Sequence, residues 1–344
     1  MSRMVSSTSS SETAPVVWRV WLGTCGVVFG GAFAFVWLFL LLIDPYDSGR
    51  FPALGLTGIV DESPRTANVS RGRNVLFNAG LFGNSTGQLL DPARLSEATN
   101  LRFVQLTVPG TGPREQLTLL RWFISHHERI GAIVIVADGA WCTPDPLLPL
   151  TNPFPFWLYS GNIDYLRHLL SWHSFELALR RIALALGWRK PSDPAGYWNY
   201  EAGKVWSFHP GPGPAPPADD MPAPASLAPD QMAFPAIARL DEVVSELPPA
   251  VPVVLVIPPV FAGSIAPPDS PSEMRLAQCK TALAQTVFGR QRSDLIDFRT
   301  NNAMTRDPTN FMDVIHYRAK VARRMEQSIA AAIGSADASR DLEP

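Results

Sequence analysis

GAIVIVA, residues 131–137, is the stretch on which the fold turns. It is a short, unbroken apolar run rich in β-branched residues. A strand with one wet face alternates apolar and polar residues, whereas a run like this one suits a strand covered on both faces. Covered strands need crossover helices, and the flanking sequence offers them. Upstream, residues 113–128 (PREQLTLLRWFISHHE) read as a helix opened by Pro113. Before that come a strand at 101–108 (LRFVQLTV), helical spacing over 86–98 and a strand at 74–80 (NVLFNAG). Downstream, helices at 236–247, 272–287 and 318–333 alternate with strands at 252–258 (PVVLVIP) and 294–298 (DLIDF). Five strands with intervening helices predict an α/β fold: a three-layer α/β/α sandwich around a five-stranded, mostly parallel sheet.

Residues 44–73 read as a Gly/Pro-punctuated connector, and the α/β domain is expected to run from 74 to 335. Residues 141–235 interrupt its rhythm. They hold an aromatic stretch (NPFPFWLYS, 152–160), an amphipathic helix at about 163–187 and a loop, 210–229, with eight prolines. Ligands of open α/β sheets sit at the carboxyl ends of the strands. An insertion between the third and fourth strands therefore either overhangs the site or forms a packing or membrane-facing appendage.

The chain has 344 residues, 46% of them hydrophobic, which excludes wholesale disorder. With 29 Lys+Arg against 31 Asp+Glu the near-neutral balance argues against a nucleic-acid binder that works through a basic surface. Three cysteines (Cys25, Cys142, Cys279) are too few and too scattered for a disulfide framework or a zinc ribbon. Val20–Ile43 contains no charged residue over 24 positions, about 36 Å of helix, enough to cross a bilayer core of about 30 Å. Trp18, Trp21, Trp37 and Tyr46 lie in or beside it as interfacial anchors. Ala32-Phe33-Ala34 looks like a signal-peptidase site, but the nine apolar residues that follow favour a retained transmembrane helix at 20–43. Residues 1–19 are then a disordered cytoplasmic tail, 336–344 a second disordered tail, and the body lies outside.

Two segments carry chemistry. In LFGNSTGQ (81–88) a strand ends, Gly83 permits a sharp turn, and Ser85 stands at the mouth of the next helix. There it is either a nucleophile beside exposed N–H groups or an ordinary N-cap. In Asp313-Val-Ile-His316, before the last helix, a carboxylate three residues ahead of a histidine can hold its Nδ1–H and leave Nε2 to accept a serine proton. The competing reading is a surface pair capping that helix. His126 and His127 read as a solvated helix end, and His168, His173 and His209 have no ligand partners in the sequence, so no metal site is expected. Cys142 reads as part of a packed loop, with a thiol nucleophile as its alternative. Gly83–Gly87 lacks the Lys of a phosphate loop, and there is no dinucleotide fingerprint, so no cofactor is expected.

Strand–G-x-S–helix early, D-x-x-H before the last helix and five α/β strands together resemble the SGNH (GDSL-like) hydrolase superfamily, a flavodoxin-like architecture. The resemblance covers about 74–138 and 250–333. It implies a nucleophile at Ser85 and a triad completed by His316 and Asp313. It also implies an oxyanion donor in VPGTGP (108–113), with Gly110 the nearer match and Gly112 the other. Two positions depart from the family pattern. Gly83-Asn84-Ser85 replaces Gly-Asp-Ser. ADGAWCTPD (137–145) places Asp138 where an oxyanion Asn is common, and an ionised Asp cannot donate a hydrogen bond. One anchor plus such a domain is also similar to the accessory proteins of membrane-bound O-acyltransferases. That similarity implies a single-pass protein of the inner (cytoplasmic) membrane with its body in the periplasm. Its partners would be the bilayer, a membrane-bound O-acyltransferase and an acylated cell-envelope glycan. The expected function is a serine esterase or O-acyltransferase, with a catalytically inactive binding or assembly protein as the alternative.

Overall fold

The computed structural model describes residues 14–51, 54–56, 58–143, 153–209 and 234–334. Residues 1–13 of the N-terminal tail, the 210–229 loop and the 336–344 tail lie outside the described residues, but 14–19, read as part of the disordered tail, are the first turns of α1. In chain order, α1 (Ala14–Ile43) and α2 (Pro64–Gly72) precede β1 (Ala79–Phe82), α3 (Pro92–Thr99), β2 (Phe103–Gln105), α4 (Pro113–His126) and β3 (Ala132–Val136). The insertion contributes α5 (Phe156–Tyr159), α6 (Asn162–His168) and α7 (Trp172–Ala185). The domain closes with α8 (Pro235–Ser245), β4 (Val253–Ile257), α9 (Pro271–Val287), β5 (Asp294–Asp297), α10 (Ala303–Arg306) and α11 (Ala319–Gly334).

The strands form one sheet, ordered β2-β1-β3-β4-β5, and all four pairings are parallel. The chain moves outward from β1 to β2, then returns past β1 to β3. At such a reversal the loops diverge and a crevice opens at the carboxyl ends of β1 and β3. The run that suggested burial on both faces is buried throughout, from Ala132 to Val136. Ile133 and Ile135 pack into a core with Phe123, Leu240 and Leu283, whereas Val134 and Val136 pack into a second core with Leu95, Met325 and Ile329. Helices therefore cover both sides, as a parallel sheet requires.

Several boundaries differ from the sequence reading. β1 starts at Ala79 rather than 74, because Val75 and Leu76 lie in an exposed turn closed by Phe77 N–H donating to the Asn74 carbonyl. The helix read at 86–98 begins only at Pro92, which cannot donate an intrahelical bond, with Asp91 accepting from Ala93 N–H as its cap. The long helix at 163–187 is two helices. Ser171 breaks it by accepting from Ser174 N–H and capping α7.

The connector 44–73 is not loose. It contains α2, and it clamps the end of α1 to the body. Asp47 receives Arg73 at 2.6 Å, Arg181 at 3.4 Å and the Ser70 hydroxyl. Asp44 accepts from the Tyr165 hydroxyl at 2.9 Å. Buried ion pairs add little net stability but fix geometry, so the body is held at a set angle to α1.

Cys142 and Cys279 form a disulfide that ties the turn after β3 to α9. This rules out Cys142 as a thiol nucleophile, while its place in a packed turn against the core holds. A separation of 137 residues gives no spacing signal that a sequence could show. Closing so long a loop restricts the unfolded chain, and losing the bridge typically costs about 2–5 kcal/mol. Cys142→Ser is therefore expected to lower the urea midpoint of the full-length protein in detergent. An unchanged midpoint would show that the bridge does not hold the fold.

Candidate active site

β1 delivers the chain to Gly83, whose φ of +152° brings it against β3. A Cβ there would stand 3.0 Å from Val136 Cβ and 3.3 Å from its carbonyl oxygen, so glycine is required. Asn84 follows, almost wholly buried. Its Oδ1 accepts from Thr86 N–H at 3.0 Å and from the Thr86 hydroxyl at 2.9 Å. Its Nδ2 donates to Asp138 Oδ2 at 2.6 Å and to the Thr111 carbonyl at 3.4 Å. The turn that opens at Ser85 is one short 3-10 turn, Ser85–Gly87, rather than the start of an α-helix. Asn84 caps it, and the Ser85 hydroxyl remains available.

The second segment arrives from the far end of the chain. Phe311 and Tyr317 form an antiparallel bridge, and Met312 N–H donates to the His316 carbonyl at 2.8 Å, closing a small hairpin. Inside it, Asp313 Oδ1 accepts from the N–H groups of Ile315 (2.9 Å) and His316 (2.7 Å). Asp313 Oδ2 lies 2.7 Å from His316 Nδ1, and His316 Nε2 lies 2.9 Å from Ser85 Oγ. With Nδ1–H donating to the carboxylate, Nε2 is the acceptor for the Ser85 proton. The buried Tyr317 hydroxyl donates to the Thr86 carbonyl, joining the hairpin to the Ser85 turn. The capping alternative for Asp313 fails, because the N–H of Ala319 at the start of α11 is taken by Glu201 Oε2 at 2.7 Å.

Burial alone would raise the Asp313 carboxyl. The hydrogen bonds from the His316 ring and from the N–H groups of Ile315 and His316 outweigh it and hold the carboxyl below its usual range. It is ionised at neutral pH. Burial pushes the Asp138 carboxyl up, against the hydrogen bonds from Asn84 and Ala140 N–H and the charge of Arg299. Both Asp138 oxygens accept, from Asn84 and from Ala140, so this residue orients Asn84 and supplies no oxyanion donor. The Asn84 amide is likewise engaged. Of the two glycines after β2, Gly112 donates its N–H to Glu115 at 3.0 Å. Gly110 has φ +66° and, among the described residues, no acceptor for its N–H. Val108 N–H donates to the Gly83 carbonyl at 3.0 Å, which sets the Gly110 loop beside the Ser85 turn.

The insertion falls into two parts. Its first part, α5 to α7, packs on α1, α2 and α4. Its second part runs along the sheet edge, where Gln105 N–H donates to the Ala195 carbonyl, and reaches the hairpin, where His209 N–H donates to the Met312 carbonyl. Glu201 also pairs with Arg318 at 2.6 Å. Tyr317 and Glu201 went unread in the sequence, since one looks like a core aromatic and the other like a surface acid. Among the described residues no group of three or more His, Cys, Asp and Glu could hold a metal ion.

The assembled site pairs an oriented imidazole with a serine hydroxyl at the reversal point of the sheet. Family models, curated proteins and solved structures yielded no match to this chain.

Proposed function

We propose that this chain is a membrane-anchored serine esterase or O-acyltransferase, with the SGNH-type order of parts that the sequence resembles. The observation that carries the reading is the Ser85–His316–Asp313 chain of contacts, at 2.9 and 2.7 Å. Ser85 Oγ attacks the carbonyl carbon of an acyl ester while His316 Nε2 takes its proton. The carbonyl oxygen becomes an oxyanion facing the N–H groups of Ser85 and Gly110. As the ester bond breaks, His316 returns the proton to the departing alcohol, leaving an acyl-Ser85 ester. Water or a sugar hydroxyl, deprotonated by His316, then releases the acyl group. The Cys142–Cys279 bridge favours an oxidising, extracytoplasmic location for the body, which suits an acylated cell-envelope glycan as substrate.

One observation favours the second reading, an inactive binding or assembly domain that partners a membrane-bound O-acyltransferase. Neither Asn84 nor Asp138 supplies the side-chain oxyanion donor that the family offers. A fluorophosphonate probe separates the two readings. The full-length protein in detergent is expected to label at Ser85, and Ser85→Ala is expected not to label. A folded protein that never labels supports the binding domain.

A further inference from the structure

α1 is the one described helix long and apolar enough to cross a bilayer, over Val17–Ile43. Near its start lie Trp18 and Trp21, with ring centroids 5.0 Å apart, and tryptophan is enriched at membrane interfaces. A hydrocarbon core of about 30 Å corresponds to about 20 helical residues. Counted from that pair, the opposite boundary falls at about residues 38–41.

The body reaches back to this depth. Arg50, beyond the end of α1, donates to the Gly161 carbonyl at 3.2 Å at the start of α6. At the other end of α6, Trp37 Nε1 donates to the Leu166 carbonyl at 3.3 Å. α7 then climbs from the Phe39–Phe175 ring contact to Arg181, which donates to the Ile43 carbonyl at 3.2 Å. The α6–α7 turn thus lies level with Val36–Leu40, one to two helical turns down from the end of α1. Its apolar side chains are not packed away. Trp172 is 80% exposed and Leu170 39%. Leu170, Trp172 and Phe175 form one wall of an apolar groove whose other wall is Val36 and Leu40 of α1 itself.

We propose that the α6–α7 tip is a second membrane contact, seated in the interface of the bilayer that α1 spans, with lipid acyl chains filling the groove. The inference rests on α1 being a spanning helix and is independent of the chemistry at Ser85. The occupant follows from continuity. A groove with one wall on the outer surface of a spanning helix is filled by whatever surrounds that helix, and in a bilayer this is acyl chain. The side chains at the tip match that depth. Trp172 supplies an amphipathic ring, and the exposed Arg167, whose guanidinium lies 3.8 Å from the exposed Asp164 carboxylate, stands at the level of the lipid headgroups just above the chains. Two points of attachment, with the Asp47 clamp between them, fix the height and tilt at which the Ser85 site is presented.

The test uses the full chain with Cys25→Ser, its disulfide intact, in nanodiscs of phosphatidylcholine and phosphatidylglycerol. Single cysteines at Trp172, Leu170, Val27 and Phe288 carry a nitroxide, and the accessibility of each to oxygen and to a nickel chelate is measured. Trp172→Cys and Leu170→Cys are expected to be several-fold less open to nickel than Phe288→Cys, and shallower than Val27→Cys. Nickel access at 172 equal to that at 288, with 27 protected, overturns the tip contact alone. Nickel access at 27 overturns the spanning helix and the tip together. Protection at 172 that requires an added membrane protein overturns lipid as the occupant.

Discussion

Ser85→Ala and His316→Ala are each expected to lower the turnover of an activated ester such as p-nitrophenyl acetate by about 10⁴- to 10⁶-fold, and the double variant is expected to lose no more than either alone. In the proposed mechanism nucleophile and base act as one unit. Without the imidazole at 2.9 Å, Ser85 is an ordinary alcohol, and without the hydroxyl the imidazole has nothing to deprotonate. Asp313→Asn keeps the shape of the hairpin but removes the charge that favours the protonated imidazole and selects its tautomer. Its expected loss is about 10⁴-fold. The background rate left by the N–H groups of Ser85 and Gly110 sets the floor for all three variants. Reductions below tenfold, with the fold intact by circular dichroism, would remove the triad from the account.

The sheet was legible because its signal is local. PVVLVIP and GAIVIVA announce β4 and β3 within a residue or two, since a strand buried on both faces must be apolar throughout. NVLFNAG misled because composition does not say where pairing begins. The hydrogen-bonded register starts at Ala79 opposite Phe103, which leaves Val75 and Leu76 outside the sheet. The triad residues could be named from the order of two motifs, but their meeting could not be derived. Ser85 and His316 are 231 residues apart, and the Tyr317 hydroxyl on the Thr86 carbonyl, which joins their segments, is a contact between chain-distant groups with no periodicity of its own. The disulfide was hidden for the same reason. Asn84 was legible as a departure from Gly-Asp-Ser, but its effect was not. The sequence suggests a lost negative charge beside the nucleophile, whereas the structure places the carboxylate of Asp138 at 2.6 Å from the Asn84 amide.

That pair leads to the sharpest expectation about stability. Asn84→Asp sets two carboxyl groups at the 2.6 Å contact now made by an amide and a carboxylate. Burial already raises the Asp138 carboxyl, and a second negative charge raises it further. At neutral pH either one group binds a proton or the Ser85 turn opens, and losing a hydrogen bond to a buried charge costs about 1.5–3 kcal/mol. The sign of the pH dependence follows. A carboxyl whose folded pKa lies above its unfolded value of about 3.9 stabilises the fold fully below that value, and the contribution is lost as pH rises through the folded pKa. The deficit of Asn84→Asp in urea midpoint is therefore expected to be small near pH 4 and largest near pH 7. Exchanging both residues, Asn84→Asp with Asp138→Asn, restores one amide and one carboxylate with their chain positions reversed. The exchange is expected to recover about 1–3 kcal/mol of coupling, together with most of the labelling rate at Ser85. In the exchanged protein the carboxylate at position 84 still accepts from Thr86 N–H, and the amide oxygen at position 138 still accepts from Ala140 N–H, so both caps survive. Only the 3.4 Å bond from the residue-84 amide to the Thr111 carbonyl is lost, and its length makes it the weakest of the set. A double variant no more stable at pH 7 than Asn84→Asp alone would show that the two side chains are neighbours without being a coupled pair.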